Sequence, residues 1–196
     1  MNKILHISIL LLLIMGNTSC SHKYKIDKSD YLLIPYIGNE NLILKSTENK
    51  FDTIFINGIE RYSADSNPLA IFPEQHEIHS LNCRISDPNH ERYLDGKNLI
   101  ELRASSNGTS IWFNIIMKES WFYGKTIYSK AEFNNIPITK LTIENKTYYD
   151  VKVFESDGSY EQRDNYVERF YWSLSNGFLG LDKRETEWRL VKKYVP

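Results

Sequence analysis

Two kinds of apolar pattern divide the chain. Ile4 to Met15 is almost continuously apolar, interrupted by His6 and Ser8. From Tyr31 onward the apolar residues come instead in short runs rich in Ile, Phe, Tyr, Trp, Val and Thr, split by clusters of Asn, Gly, Asp and Ser. β-branched and aromatic runs bounded by turn formers are the pattern of strands. Few segments keep the i, i+3, i+4, i+7 spacing of a long helix. The expectation is a mainly β fold, an antiparallel meander forming a sandwich or an open barrel, with few short helices.

Individual runs predict individual hairpins. Leu42–Ser46 and Phe51–Ile56 flank the turn Thr47 to Lys50, and Asn57-Gly58 reads as a tight turn or bulge before Ile59–Tyr62. Asn98–Ala104 and Ser110–Lys118 flank Ser106-Asn107-Gly108, and Ile138–Ile143 and Thr147–Phe154 flank Asn145-Lys146. Tyr166–Leu174 and Phe178–Leu181 enclose Asn176-Gly177, a strong hairpin pair because both turn residues tolerate positive φ. Glu187–Val191 closes the meander, and Tyr31–Ile37 reads as a strand at its start. A short helix is expected in Asp65–Glu77, Ser86–Lys97 or Ser129–Asn135. Strands apolar on both faces, such as Ile111 to Ile116, imply a sheet covered on both sides.

The first apolar run carries a different message. Asn2 and Lys3 precede it, and small or polar Gly16, Asn17, Thr18 and Ser19 follow it. That order is a secretion signal. A helix of the run's length rises only about 18 Å, against a hydrocarbon core of about 30 Å. Ser19 directly before Cys20 resembles a lipobox, in which the cysteine sulfur is acylated and the chain is cut before it; Asn17 stands where a typical lipobox has Leu. The domain reading is a lipoprotein signal peptide over 1–19, a lipid-anchored tether over 20–30 and a single β-rich domain over 31–196.

Composition narrows the partners. Beyond Lys3 the chain has 23 basic and 25 acidic side chains with no block of one sign. A basic face for nucleic acid is absent, so that partner is set aside. With Cys20 lipidated, Cys83 has no intramolecular partner, so the domain is not stapled by a disulfide.

Candidate chemistry is sparse. His76, His79, Cys83 and His90 are metal-ligand types, but their spacing matches no zinc module, and on a strand His76 and His79 point to opposite faces. No metal or other cofactor is expected. Gly-x-Ser-x-Gly, His-Glu-x-x-His and a glycine-rich phosphate loop are all missing, and no pair of carboxylates is nominated, so catalysis is not the leading expectation. Trp112, Trp121, Phe122, Tyr123, Tyr148, Tyr149, Phe170, Tyr171 and Trp172 are read chiefly as core residues and secondarily as a pocket for a sugar or lipid. Asp52-Thr53-Ile54 resembles the acceptor motif for O-glycosylation in Bacteroidota, which would modify Thr53.

From Tyr31 onward the arrangement resembles small lipoproteins of Bacteroidota bacteria. The resembling pieces are Ile34-Pro35-Tyr36-Ile37-Gly38-Asn39-Glu40, Asp52 to Ile56, Lys146 to Val151, Tyr171-Trp172-Ser173 through Gly177-Phe178-Leu179-Gly180, and Trp188-Arg189-Leu190. The resemblance implies a mostly β domain in the periplasm or at the outer membrane, and carries no activity. Acidic residues after the cysteine mark surface export in those bacteria; here Ser21, His22, Lys23, Tyr24 and Lys25 follow Cys20, which favours the periplasmic face. The functional expectation is an outer-membrane-tethered, non-catalytic binding or assembly module contacting envelope proteins. The alternatives are a carrier of a lipid or other apolar ligand, and a hydrolase with an unrecognised site.

Overall fold

The computed structural model describes residues 22–67, 73–85, 98–117 and 120–196. The signal segment, Cys20, His90 and the connection Ser86–Lys97 lie outside these residues.

In chain order the strands are β1 (Lys23–Tyr24), β2 (Asn41–Ser46), β3 (Phe51–Asp65), β4 (Gln75–Ile85), β5 (Asn98–Ser105), β6 (Gly108–Phe113), β7 (Ile116–Met117), β8 (Ser120–Phe122) and β9 (Ile127–Ser129). After helix α1 (Lys130–Asn135) come β10 (Ile138–Ile143), β11 (Lys146–Glu155), β12 (Tyr166–Val167), β13 (Arg169–Ser173), β14 (Gly177–Lys183) and β15 (Thr186–Tyr194). The main sheet runs β10-β11-β13-β14-β15-β2-β3-β4-β5-β6-β9, antiparallel throughout, and curls into a half-barrel. The fold is therefore mainly β, in the open-barrel form of the expectation. It is a meander in two halves, joined where β15 pairs with β2, from Trp188↔Ser46 to Tyr194↔Asn41. β1 joins the main sheet off this path, paired with β4, and a small second sheet, β12-β8-β7, carries the remaining strands.

Side-chain alternation sets which face is buried. In β2, Leu42, Leu44 and Ser46 are buried while Asn41, Ile43 and Lys45 are half-buried, the period of two that a pleated strand imposes. β14 is buried at every position from Gly177 to Asp182, whereas the strand read as apolar on both faces, around Ile111, alternates between buried Ile111 and Phe113 and half-buried Trp112. The hollow of the sheet is filled by aromatic rings. Phe154 and Phe170 stack at 4.4 Å, and Phe113 lies 4.9 Å from Phe154 and 5.1 Å from Trp172. Full burial of a ring of this size contributes about 1.5–3 kcal/mol, and each well-placed ring pair about 0.5–1.5 kcal/mol more.

α1 joins β9 to β10, the two edges of the half-barrel, and drops Phe133 into the interior beside Phe113 at 6.3 Å. It falls in Ser129–Asn135, one of the three expected places for a short helix; Ser86–Lys97 lies outside the described residues. Ser129 accepts the Glu132 amide and the Glu132 carboxylate accepts the Ser129 amide, a full capping box. At its other end buried Lys152 donates to the carbonyl of Ile136 at 2.5 Å.

The first described residues depart from expectation. The segment read as a tether is docked. Lys23–Tyr24 pairs in parallel with Gln75–His76, Ile26 is buried in the core, and the Ile26 amide donates to Glu77 at 2.9 Å. Tyr31–Ile37 is not a strand. Lys28–Leu33 forms a 3-10 helix, and Leu32 and Ile37 point outward. Pro35 has no amide to offer a ladder, and the segment's anchors are Ile34 and Tyr36, which belong to the core, and Asp30, which pairs with Lys130 of α1 at 2.5 Å. Residues 22–40 thus form a strap running from β4, past α1, to the β13–β14 turn. There Tyr36 packs against Gly177, and its hydroxyl accepts the Phe178 amide.

Candidate functional site

His76, His79 and Cys83 all lie on β4. Regular pairing from Ala64↔His76 to Arg61↔His79 puts the two histidines on opposite faces. His76 stacks on Tyr24 at 5.3 Å, with Nδ1 2.8 Å from the Ala104 carbonyl. His79 meets the edge of Tyr31 at 4.8 Å, and burial, helped by the Arg61 charge, pushes its pKa down. Cys83 is half-buried against the core, and burial pushes its thiol up to about 12, so it stays protonated and inert at neutral pH. Among the described residues no group of three or more His, Cys, Asp or Glu is placed to hold a metal ion. Thr53 sits inside β3, opposite Ile43 of β2, and is half-buried.

The aromatic list divides as a core reading requires. Phe122, Tyr148, Phe170, Tyr171 and Trp172 are buried, and Trp112 lies half-buried under Arg103, whose guanidinium carbon is 4.0 Å from the ring centroid. Trp121 and Tyr149 are exposed, at 44% and 74%. Trp121 is the one that belongs to a larger arrangement.

That arrangement is built on residues 156–165, which connect β11 to β12 without a strand or helix of their own. Backbone turn bonds hold part of this connection, from the Arg163 amide to the Tyr160 carbonyl at 3.0 Å and from the Tyr166 amide to the Arg163 carbonyl at 3.1 Å, and side chains hold the rest; surface loops positioned on a rigid scaffold commonly serve recognition. Tyr160 packs on Tyr123 at 4.4 Å, and Trp121 lies 6.4 Å from Tyr123. Arg163 donates to the Tyr123 hydroxyl at 2.9 Å while lying over the Tyr160 ring at 4.7 Å. From the β14–β15 turn, Arg184 donates to the Gln162 carbonyl at 2.6 Å and pairs with Asp164 at 3.1 Å. The Trp121 amide donates to the Asn165 carbonyl at 2.6 Å.

Beside this loop lies an open cleft of about 820 Å³. Its walls are the β2–β3 turn with Glu48 and Lys50, the β14–β15 turn with Lys183 and Arg184, the loop with Asp164, and Glu168 between β12 and β13; buried Ser120 and Trp188 also line it. A second hollow of about 570 Å³ shares Glu168 and is lined also by Glu155, Tyr166 and Arg169.

The charges of the cleft are largely neutralised within it. Lys50 pairs with Glu48 at 2.6 Å, and that hydrogen bond and charge hold the Glu48 carboxyl below its usual range. Asp164 is fully exposed beside Arg184. Such groups carry charge and hydrogen bonds; a general acid needs instead a carboxyl with a raised pKa. Trp121, next in sequence to cleft-lining Ser120, and Tyr160, on the loop that carries cleft-lining Asp164, are two partly exposed rings. The chemistry on offer is recognition through ring faces, paired charges and backbone groups.

The sequence held weak signals for this site. Trp121 and Tyr123 stood in the aromatic list, whereas Tyr160, Arg163 and Arg184 lie in polar stretches with no motif. Their meeting depends on β8 pairing with β12, Trp121↔Tyr166, across 45 positions of chain. No protein-family model, curated protein or solved structure matches the chain.

Proposed function

We propose that the protein is a non-catalytic binding module of the cell envelope, tethered by a lipid on Cys20, that engages an envelope protein through the 156–165 loop, the Trp121–Tyr160 rings and the cleft beside them. The observation that carries the reading is the loop itself. It has no strand or helix of its own, yet Arg184, Arg163 and the Tyr123 ring bond and pack against it, and Trp121 and Tyr160 beside them are exposed. Trp, Tyr and Arg are the residue types that dominate the energetics of protein interfaces, and a loop already ordered loses little conformational freedom on binding. The lipobox-like Ser19-Cys20 and the preceding apolar run support the tether, and the residues after Cys20 support the periplasmic face of the outer membrane.

The carrier reading has less support. The interior that would hold an apolar ligand is occupied by Phe113, Phe133, Phe154, Phe170 and Trp172. A hydrolase has less still, since of the cleft's four carboxylates, Glu48, Asp164, Glu168 and Glu185, the first two stand exposed and ion-paired.

The test is recovery of envelope proteins by the full chain and by the variant carrying both Trp121→Ala and Tyr160→Ala, compared by quantitative mass spectrometry. A partner recovered by the parent and lost by the variant, with unchanged thermal unfolding, supports the reading. Equal recovery by the two proteins contradicts it.

A further inference from the structure

Among the described residues, the two longest paired strands, β3 and β4, leave one edge of the hairpin without a partner strand. β2 accompanies β3 only as far as Asn41↔Phe55, and the Ile56 amide then donates to the Glu40 carbonyl. Beyond the bulge between Ile56 and Gly58, β3 continues to Asp65, in regular register with β4 from Ile59↔Leu81 to Asp65↔Gln75. On the other side of Glu60 to Asp65 no described residue pairs with the strand. An exposed regular edge is a template for another strand. Elsewhere the fold protects its edges. β10, the edge strand at the far end of the sheet, is broken by an irregularity between Thr139 and Leu141 and carries Lys140, and β9 has only three residues. The stretch from Ile59 to Asp65 has no bulge, no Lys and no Pro.

We propose that this edge pairs antiparallel with the same edge of a second copy, in a two-fold dimer centred on Ser63. A two-fold axis perpendicular to the sheet keeps each face continuous, so only residues of like parity stand opposite one another. Centring on Ser63 sets Arg61 against Asp65 of the second copy, twice, and Tyr62 against Ala64, twice. Opposite charges at directly facing positions stabilise a ladder. Centring on Arg61 would instead face two guanidinium groups. The groups needed are available. Tyr62 is 44% exposed, Asp65 is exposed, and Arg61, bonded through Nε to buried Glu77, keeps a side chain 59% exposed. Arg61, Ser63 and Asp65 share one face of the strand by alternation. The dimer would join two sheets at the opposite end of the β3–β4 hairpin from the β2–β3 turn that helps to form the cleft.

The test is sedimentation equilibrium of the full chain in density-matched detergent, over a dilution series, with two variants. The parent is expected to pass from monomer to dimer. Asp65→Arg places two arginines opposite each other at two points and is expected to weaken the dimer at least about tenfold, with unchanged thermal unfolding because Asp65 is exposed. Ser63→Cys, whose sulfur faces its own copy across the axis, is expected to give an interchain disulfide that Tyr149→Cys does not. A parent that stays monomeric through the series, a dimer unaffected by Asp65→Arg, or Ser63→Cys crosslinking no better than Tyr149→Cys overturns the proposal.

Discussion

The hydroxyl oxygen of Tyr36 accepts the amide hydrogen of Phe178 at 2.8 Å, joining the strap before β2 to the β13–β14 hairpin across 142 positions of sequence. Lys193 lies over the same ring at 4.1 Å and donates to the Pro35 carbonyl at 2.9 Å. Tyr36→Phe keeps the ring and strands a buried amide. It is expected to cost about 1–3 kcal/mol, the cost of an unsatisfied buried donor. Denaturant unfolding checks this, and a variant as stable as the parent would mean that water or another acceptor reaches Phe178.

Gly177 answers Tyr36 from the other side. Its φ is +82°, and a Cβ there would lie 2.2 Å from the Tyr36 hydroxyl. Gly177→Val is expected to lose about 2 kcal/mol or more, through both the left-handed backbone and the collision. The double variant Tyr36→Ala with Gly177→Ala should cost less than the sum of its singles, because removing the ring removes the collision. Strict additivity in thermal unfolding would show that the two do not meet.

Acid should loosen the strap in two stages. Burial raises the Glu77 carboxyl, but hydrogen bonds from the Ile26 amide, Arg61 and Tyr31 outweigh it and leave its pKa lowered. His79, beside Arg61 and Glu77, is lowered by burial. For both groups the unfolded chain takes protons first, so stability falls as pH falls. The His79 contribution is lost below the ordinary histidine value of 6.5, and the Glu77 contribution below the ordinary glutamate value of 4.5. His79→Gln should flatten the first part of the unfolding-midpoint profile and Glu77→Gln the second. A profile unchanged in both variants would refute the assignment.

How much of this was readable before the fold follows from the range of each interaction. The hairpin at Asn176-Gly177 and the short helix near Ser129–Asn135 depend on neighbours in sequence, and both were legible; the Ser129–Glu132 capping box, also local, went unread. The same local logic misread Tyr31–Ile37, an apolar run of strand-like composition whose Ile34 and Tyr36 serve as anchors of a strap. Lys23–Tyr24 looked like polar tether because its partner, Gln75–His76, is supplied by the fold. The loop and cleft were least legible, since Arg184 and Gln162 become a pair only once the β14–β15 turn lies against the loop.

The tether is tested at one residue. Cys20→Ala should abolish incorporation of labelled fatty acid and release the protein from membranes on fractionation. Continued labelling of the variant would refute acylation at Cys20.

The most direct test of the binding surface is a photo-crosslinking residue placed at position 160, with position 149 as control, in the full chain expressed in a Bacteroidota host. Both sites are exposed, Tyr160 on the loop and Tyr149 on β11. A discrete adduct to one envelope protein from position 160 and none from 149 is the predicted result. No adduct from 160, or the same adducts from both positions, would contradict recognition through this loop.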